Sequence, residues 1–188
     1  MLSGSSRSFC SSIKTIELPN TVTEIGDWAF AAGDRGTGFV NLENVTIPNS
    51  VTKIGRDAFE RCVNLINITI PSSVKSIGYC AFYHCDSLSN INIPEGVIEI
   101  GEHAFRDCTG LISITIPDSV TSIKEIAFGN CINLSSITIP SRVASIGAKV
   151  FENWTSSQTI NIQGYSSAPS GWDTSWNSGC SAQINWNQ

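Results

Sequence analysis

The stretch Leu65–Cys85, "LINITIPSSVKSIGYCAFYHC", decides the fold, because its pattern recurs at a fixed interval along most of the 188-residue chain. It reads L-x-x-I-x-I-P-x-x-V-x-x-I-G-x-x-A-F-x-x-C. Its proline belongs to an evenly spaced series: Pro48, Pro71, Pro94, Pro117 and Pro140. Pro19 precedes Pro48 by a longer interval, which places a six-residue insertion near 33–38. A fixed interval of this length identifies a repeat protein.

Other positions of the unit recur in the same register. Glycine follows the isoleucine in five units, and Lys124 replaces it in one. The leucine column is Leu42, Leu65, Leu88, Leu111 and Leu134, and the phenylalanine column is Phe30, Phe59, Phe82, Phe105, Phe128 and Phe151. Gln163 falls one interval after Pro140 and is preceded by I-N-I, so the repeats extend to this position.

Each unit contains three short segments. The I-x-I alternation before proline predicts a strand with one buried face, which the proline ends because it lacks an N–H group. The V-x-x-I-G segment predicts a second extended or turning piece. We expect its glycine to permit a backbone angle that is costly for other residues. The A-F segment predicts a short helical turn, since alanine permits close packing.

One unit has too few apolar side chains to offset the conformational entropy lost when it is ordered, so units must stack and share a core. The sequence therefore predicts one α/β domain over 1–188. It is a solenoid with a parallel β-sheet on one face and short strands, turns and helical turns on the other. About seven coils are expected within 10–163. Residues 164–188, rich in Trp, Gly and Ser, are expected to cap the last coil.

The repeat resembles the BspA-like leucine-rich repeat family, and A-F-x-x-C is specific to that subclass. The ending "APSGWDTSWNSGCSAQINW", Ala168–Trp186, is also similar to tails that follow such repeats. The resemblance implies a curved, right-handed solenoid. It also implies a bacterial or protozoan protein, secreted or at the cell surface, that adheres to host matrix proteins or other cells. It supplies no catalytic residue and no cofactor to carry over.

Composition excludes several functions. The net charge of −5 argues against nucleic acid or anionic lipid as a partner. No apolar run approaches the length of a transmembrane segment. The stretch before Thr15 carries no apolar run typical of a secretory signal, so surface location is implied by the resemblance alone. With only two histidines, no catalytic triad stands out, and we predict that the chain is not an enzyme.

The cysteines suggest a metal site at first sight but fit a core better. One column contains cysteine in four units and Phe39 or Trp154 in others, which predicts buried thiols. Its cysteines are Cys62, Cys85, Cys108 and Cys131. Cys80 lies in a variable column and is predicted near the surface. Stacking would place it between Asp57 and His103 as a possible set of three ligands. We favour a variable exposed face and predict no metal and no cofactor.

Outward positions on the strands form two columns with one charge, Glu17, in fourteen positions. They predict a polar sheet face that binds a protein partner, such as a host matrix or cell-surface protein. Such columns can also simply solvate a sheet. A glycan-binding tail using Trp172, Trp176 and Trp186, or a structural spacer, are the alternatives. The candidate binding residues are Thr46, Asn67, Thr69, Asn90, Asn92, Ser113, Thr115, Ser136 and Thr138.

Overall fold

The computed structural model describes residues 10–33 and 37–187. Over these residues the chain forms a parallel β-solenoid of about six turns. The strands are β1 Thr15–Glu17, β2 Glu24–Ile25, β3 Ala32–Gly33, β4 Thr37–Gly38, β5 Asn44–Thr46, β6 Lys53–Ile54, β7 Asn67–Thr69, β8 Ser76–Ile77, β9 Asn90–Asn92, β10 Glu99–Ile100, β11 Ser113–Thr115, β12 Ser122–Ile123, β13 Ser136–Ile139, β14 Ser145–Ile146, β15 Thr159–Gln163 and β16 Gln183–Asn187.

One side of the solenoid carries the strands that precede the prolines. They are β1, β5, β7, β9, β11 and β13. β15, which ends at Gln163 in place of a proline, and β16 continue this side, and all bonded pairs are parallel. In each three-residue strand the central Val or Ile points inward, and its neighbours point out. The outward side of these strands is called the strand face.

A second sheet confirms that V-x-x-I-G forms an extended segment. Its six parallel strands follow the order β14-β12-β10-β8-β6-β2, with one strand from each turn. Each strand has two residues, and its isoleucine is buried, as Ile54 and Ile77 illustrate.

The third side, formed by the A-F-x-x-C segments, contains no helix among the described residues, so the predicted helical turns are wrong. Cys80 and His84 adopt left-handed φ angles of 49° and 56°. These left-handed residues turn backbone N–H groups towards the next coil rather than along the segment. The N–H groups of Cys80, Phe82 and His84 donate to the carbonyls of Glu102, Ala104 and Arg106 at 2.9, 2.8 and 3.1 Å. We call this surface the turn side.

The core is a continuous column of apolar side chains between these three sides. Phe59, Phe82, Phe105 and Phe128 stack with centroids 5.3, 5.3 and 5.6 Å apart and ring planes within 2° of parallel. All four rings are fully buried, as is the leucine column. Stacking one identical residue per coil therefore fills the interior without any unit having a core of its own.

The recurring glycines serve close packing and not an unusual backbone angle, so the expected reason for them is wrong. Gly78 and Gly101 do not have positive φ. A Cβ added to Gly78 would lie 2.6 Å from the backbone of Gly55 in the preceding coil. Gly26, the first member of the column, would meet nothing within 4 Å. The residue is small because the backbone of the neighbouring coil passes over it.

The two ends of the six-residue insertion pair with each other as a short hairpin. β3 and β4 pair in antiparallel fashion, with Ala32 opposite Gly38 and Gly33 opposite Thr37. The tip, 34–36, lies outside the described residues.

The C-terminal segment follows the path of the coils. β16 pairs with β15 in parallel, and the N–H groups of Lys149, Val150 and Asn153 donate to carbonyls of this segment. Trp172 and Trp176 are each only 5% exposed, and Trp176 packs edge-on against Phe151 at 6.1 Å. The Trp172 indole N–H donates to the Val143 carbonyl at 3.1 Å. The segment thus packs against the last repeat.

Candidate functional site: the strand face

All nine candidate residues lie exposed on the strand face. Their strands place like positions side by side: Thr69 pairs with Thr46, and Thr115 pairs with Asn92. The face is therefore built of short hydroxyl and amide side chains at the spacing of neighbouring strands. Whether these residues bind a partner stays a prediction.

Some side chains on and beside the strand face bond to one another. The Asn67 amide donates to Asn44 Oδ1 at 3.0 Å, and the Asn185 amide donates to Asn161 Oδ1 at the same distance. Asn90 donates to Ser89 Oγ at 3.2 Å. These bonds stabilise the sheet without a ligand, so the asparagines have a structural role of their own.

The strand face is interrupted twice, which sequence reasoning missed. No ladder hydrogen bonds join β7 to β9 or β11 to β13, although each pair lies side by side. Where strands are joined, the backbone carbonyl of the residue that follows the column leucine accepts a hydrogen bond from the next coil. The Glu43 carbonyl accepts from the Asn67 N–H at 3.2 Å, and the Ser89 carbonyl accepts from the Ser113 N–H at 3.4 Å.

At both interruptions, that accepting position is an isoleucine. Within the described chain, the carbonyls of Ile66 and Ile112 receive no backbone hydrogen bond from the next coil. The two side chains are 45% and 60% exposed. An apolar residue in an otherwise polar, exposed column was the available sequence signal.

The second interruption opens into a groove. It has a volume of about 460 Å³ and runs between β11 and β13. Ile112 lies at one end and Asp118 at the other, and Gln163 also borders it. Its walls carry the hydroxyls of four candidate residues, Ser113, Thr115, Ser136 and Thr138. The depression between β11 and β13 thus coincides with unpaired strand backbone.

The repeat can now be compared with known proteins. The family model described as a BspA type leucine rich repeat region matches residues 4–34 and 35–158, in six copies. The chain belongs to the BspA-type leucine-rich repeat family. No curated protein matches it.

Solved structures with this BspA-type fold come from several bacteria. A leucine-rich cell surface protein of Faecalibacterium prausnitzii is 38% identical, with a TM-score of 0.73 over 87% of this chain and 43% of that one. A leucine-rich repeat protein of Bacteroides ovatus is 28% identical, with a TM-score of 0.65 over 95% and 53%. The pneumococcal vaccine antigen PcpA is 26% identical, with a TM-score of 0.66 over 80% and 40%. The chain therefore spans about half the length of these relatives or less.

The BspA-type assignment confirms the resemblance drawn from the repeat. It indicates a protein-interaction module of the cell-surface type, in a family and fold that are typically non-catalytic. Among the described residues, no helix is long and apolar enough to cross a membrane.

The BspA-type cysteine column is buried, and its thiols donate to backbone carbonyls. Cys85, Cys108 and Cys131 donate to the carbonyls of Phe59, Phe82 and Phe105 at 3.2, 3.0 and 3.1 Å. Trp154 in the same column donates its indole N–H to Phe128 at 2.9 Å. A side chain that is apolar and also carries a donor suits this column, which explains why cysteine and tryptophan both occur there.

Burial controls the chemistry of these thiols. It raises the pKa of Cys62 to about 12 and the pKa values of Cys85, Cys108 and Cys131 well above the ordinary value. A protonated, enclosed thiol is a poor nucleophile and a poor metal ligand. All seven cysteines are free in this structure. The column is thus part of the core.

Cys80 is also buried, at 7% exposure, so the prediction that it lies near the surface is wrong. Asp57 in the preceding coil is buried too, and its carboxylate accepts from Arg56 Nε at 2.9 Å. The Arg56 guanidinium lies over the Tyr79 ring at 4.5 Å and covers this region. Among residues 10–33 and 37–187, no group of three or more His, Cys, Asp or Glu side chains is arranged to hold a metal ion.

Proposed function

We propose that this chain is a non-enzymatic, adhesin-type module that binds a protein partner through the strand face. The observation that carries the proposal is the exposure of nine uncharged polar residues in register on neighbouring strands. The cell-surface type of the family supports it, and so does the F. prausnitzii relative, itself a cell surface protein. A host matrix or cell-surface protein is the partner class that this supports best.

The strand face suits a partner better than the turn side does. Its Ser, Thr and Asn side chains are short and lose little conformational entropy when a partner covers them. On the turn side, many charges are already engaged: Arg56 with Asp57, Arg106 with Asp107 and Lys149 with Glu152. A partner that covered the turn side would have to desolvate these ion pairs.

The test is surface-based binding of the chain to a panel of host matrix proteins, whole cells and glycans. The variant Thr69→Arg/Thr115→Arg places two bulky cations on the strand face. The matched control, Thr52→Arg/Thr121→Arg, changes two exposed threonines that lie outside the strands. We expect saturable binding to a protein that the first variant loses and the control retains.

Other outcomes would contradict this proposal in distinct ways. Binding retained by Thr69→Arg/Thr115→Arg would move the site to the insertion or to the tail. Saturable quenching of tryptophan fluorescence by sugars would favour the glycan alternative, although Trp172 and Trp176 are packed in the core. Binding to nothing on the panel would favour a structural spacer.

We also propose that residues 164–188 act as the C-terminal cap. Without them, the apolar end of the last repeat and the edge of β15 would be exposed. Deleting 164–188 should lower the melting temperature and promote aggregation, measured by circular dichroism and light scattering. The milder variant Trp176→Ala should lower the melting temperature without removing the edge strand. An unchanged melt after the deletion would refute the capping role.

A further inference from the structure

We propose that the groove between β11 and β13 binds an extended peptide segment of the partner protein. The segment has about six residues, with an apolar side chain at the Ile112 end, a lysine or arginine at the Asp118 end and uncharged residues between. This rests on the proposed function and narrows it to one place on the strand face.

The backbone at the groove has unpaired hydrogen-bonding groups. The Ile112 carbonyl and the Ser136 N–H are not bonded across the gap, whereas the equivalent groups of Ser89 and Ser113 are. Polar backbone groups gain from a partner, and a covering protein that offered none would leave them unsatisfied. An extended peptide presents one donor and one acceptor per residue, so it can supply bonds to these two groups at the Ile112 end of the groove.

The two ends of the groove differ in chemistry: one is apolar and the other is acidic. Ile112 is 60% exposed, which is the largest exposure among the large apolar side chains of the described residues. Asp118 is exposed and forms no ion pair with a described residue. An exposed carboxylate without an ion-pair partner attracts a basic side chain.

The length and the lining of the groove also fit such a segment. From Ile112 to Asp118 an extended chain covers about 20 Å, which matches about six residues of a bound strand. The hydroxyls of Ser113, Thr115, Ser136 and Thr138 can donate or accept, but they cannot neutralise a charge. The middle of the segment is therefore uncharged. Among the described residues that line the groove none is aromatic, so they offer no stacking surface of the kind that sugars use, and a peptide fits better.

The experiment selects binders from a phage-displayed library of random twelve-residue peptides on the immobilised full chain. We expect the enriched peptides to share an apolar residue and a Lys or Arg separated by about four residues. The best synthetic peptide is then titrated by fluorescence anisotropy. Ser136→Arg should weaken its binding at least about tenfold. The control Ser145→Arg, an exposed serine on β14 of the second sheet, should leave binding unchanged.

A charge exchange tests the Asp118 end. Asp118→Lys should weaken binding of the basic peptide about tenfold and strengthen binding of the same peptide with Glu in place of its Lys or Arg. The proposal is overturned if the library yields no enrichment, if the enriched peptides bind Ser136→Arg as well as the wild type, or if Asp118→Lys changes neither affinity. Circular dichroism melts show that each variant is folded.

Failure of the groove is distinguishable from failure of the strand face. A protein partner from the panel that is lost with Thr69→Arg but retained with Ser136→Arg would refute the groove and leave the strand face as the binding surface. A partner retained by both variants would refute the proposed function itself.

Discussion

The turn side and the strand face stabilise the solenoid to different degrees. On the turn side, inter-coil hydrogen bonds continue from Trp28 to the carbonyl of Ser175, although the backbone there has no regular secondary structure. The strand face consists of regular strands, yet its ladder is interrupted after β7 and after β11. The turn side therefore holds the coils together, and the strand face can accept variation and open a groove.

The largest difference between the two sides should appear at alkaline pH. Thiols ionise near pH 8.5 in the unfolded chain, but the buried turn-side thiols remain protonated, with a pKa of about 12 for Cys62. Unfolding then releases protons, so stability is full below about pH 8 and falls as pH rises above about 8.5. Four thiols at about 1.4 kcal/mol each imply a loss of about 6 kcal/mol by about pH 9.5.

Urea unfolding in reductant at several pH values measures this loss. The variant Cys85→Ala/Cys108→Ala removes two of the four thiols and should halve the pH dependence while lowering stability at neutral pH. If the free energy of unfolding fell with pH as steeply in this variant as in the wild type, the thiols would not be the cause of the alkaline loss of stability.

The next largest contrast concerns side-chain removal. Phe105→Ala should lower the free energy of unfolding by about 3–5 kcal/mol, because it leaves a cavity between Phe82 and Phe128. Asn92→Ala on the strand face removes an exposed side chain and should change it by less than about 0.5 kcal/mol. Chemical denaturation measures both. Similar losses in the two variants would contradict the assignment of stability to the turn side and its core.

Substitution by alanine should lower stability at a glycine that lies against a neighbouring coil but not at a glycine that has open space beside it. Gly78→Ala should destabilise by about 1–3 kcal/mol, because its Cβ would lie 2.6 Å from Gly55 and force the coils apart. Gly26→Ala is the matched control. Its added Cβ has no neighbour within 4 Å, so the melting temperature of this variant should equal that of the wild type or be slightly higher. Equal effects on the two melting temperatures would mean that the glycines do not serve coil contact.

The smallest expected effect concerns the backbone angles. Asn153→Val should cost about 1–2 kcal/mol, since Asn153 has a φ of 66° that a β-branched residue adopts with difficulty. Asn153→Gly should be close to neutral. On the strand face, Asn92→Val should be tolerated, because strands favour β-branched residues. Equal stability of Asn153→Val and the wild type would show that this angle carries no strain.

The burial pattern that recurs in each repeat could be predicted from the sequence. The hydrogen bonds that link one coil to the next could not. Periodicity is enough to place Phe82 and Cys85 in the core and Thr69 on the surface, because burial follows the repeat. The helical turn was predicted because A-F-x-x-C is locally compatible with a helix. The N–H of Phe82 instead bonds to Ala104, a partner in the next coil that local sequence does not reveal.

The same limit applies to the candidate site. Its nine residues lie where the alternation of the strands predicted. The groove could not be predicted, because it depends on bonds that are missing between β11 and β13. Cys80 was misplaced since its column contains exposed residues such as Trp28, and column variability does not report the burial of one member.

The continuous bonding of the turn side has an electrostatic consequence. The N–H groups of Phe59, Phe82 and Phe105 each donate to a carbonyl of the following coil, so their peptide dipoles point the same way along the solenoid. Peptide dipoles in a sheet alternate and largely cancel, whereas aligned ones add as they do in a helix. The turn side therefore carries a macrodipole without a helix. Its positive end is at the C-terminal coil, and each added repeat lengthens it.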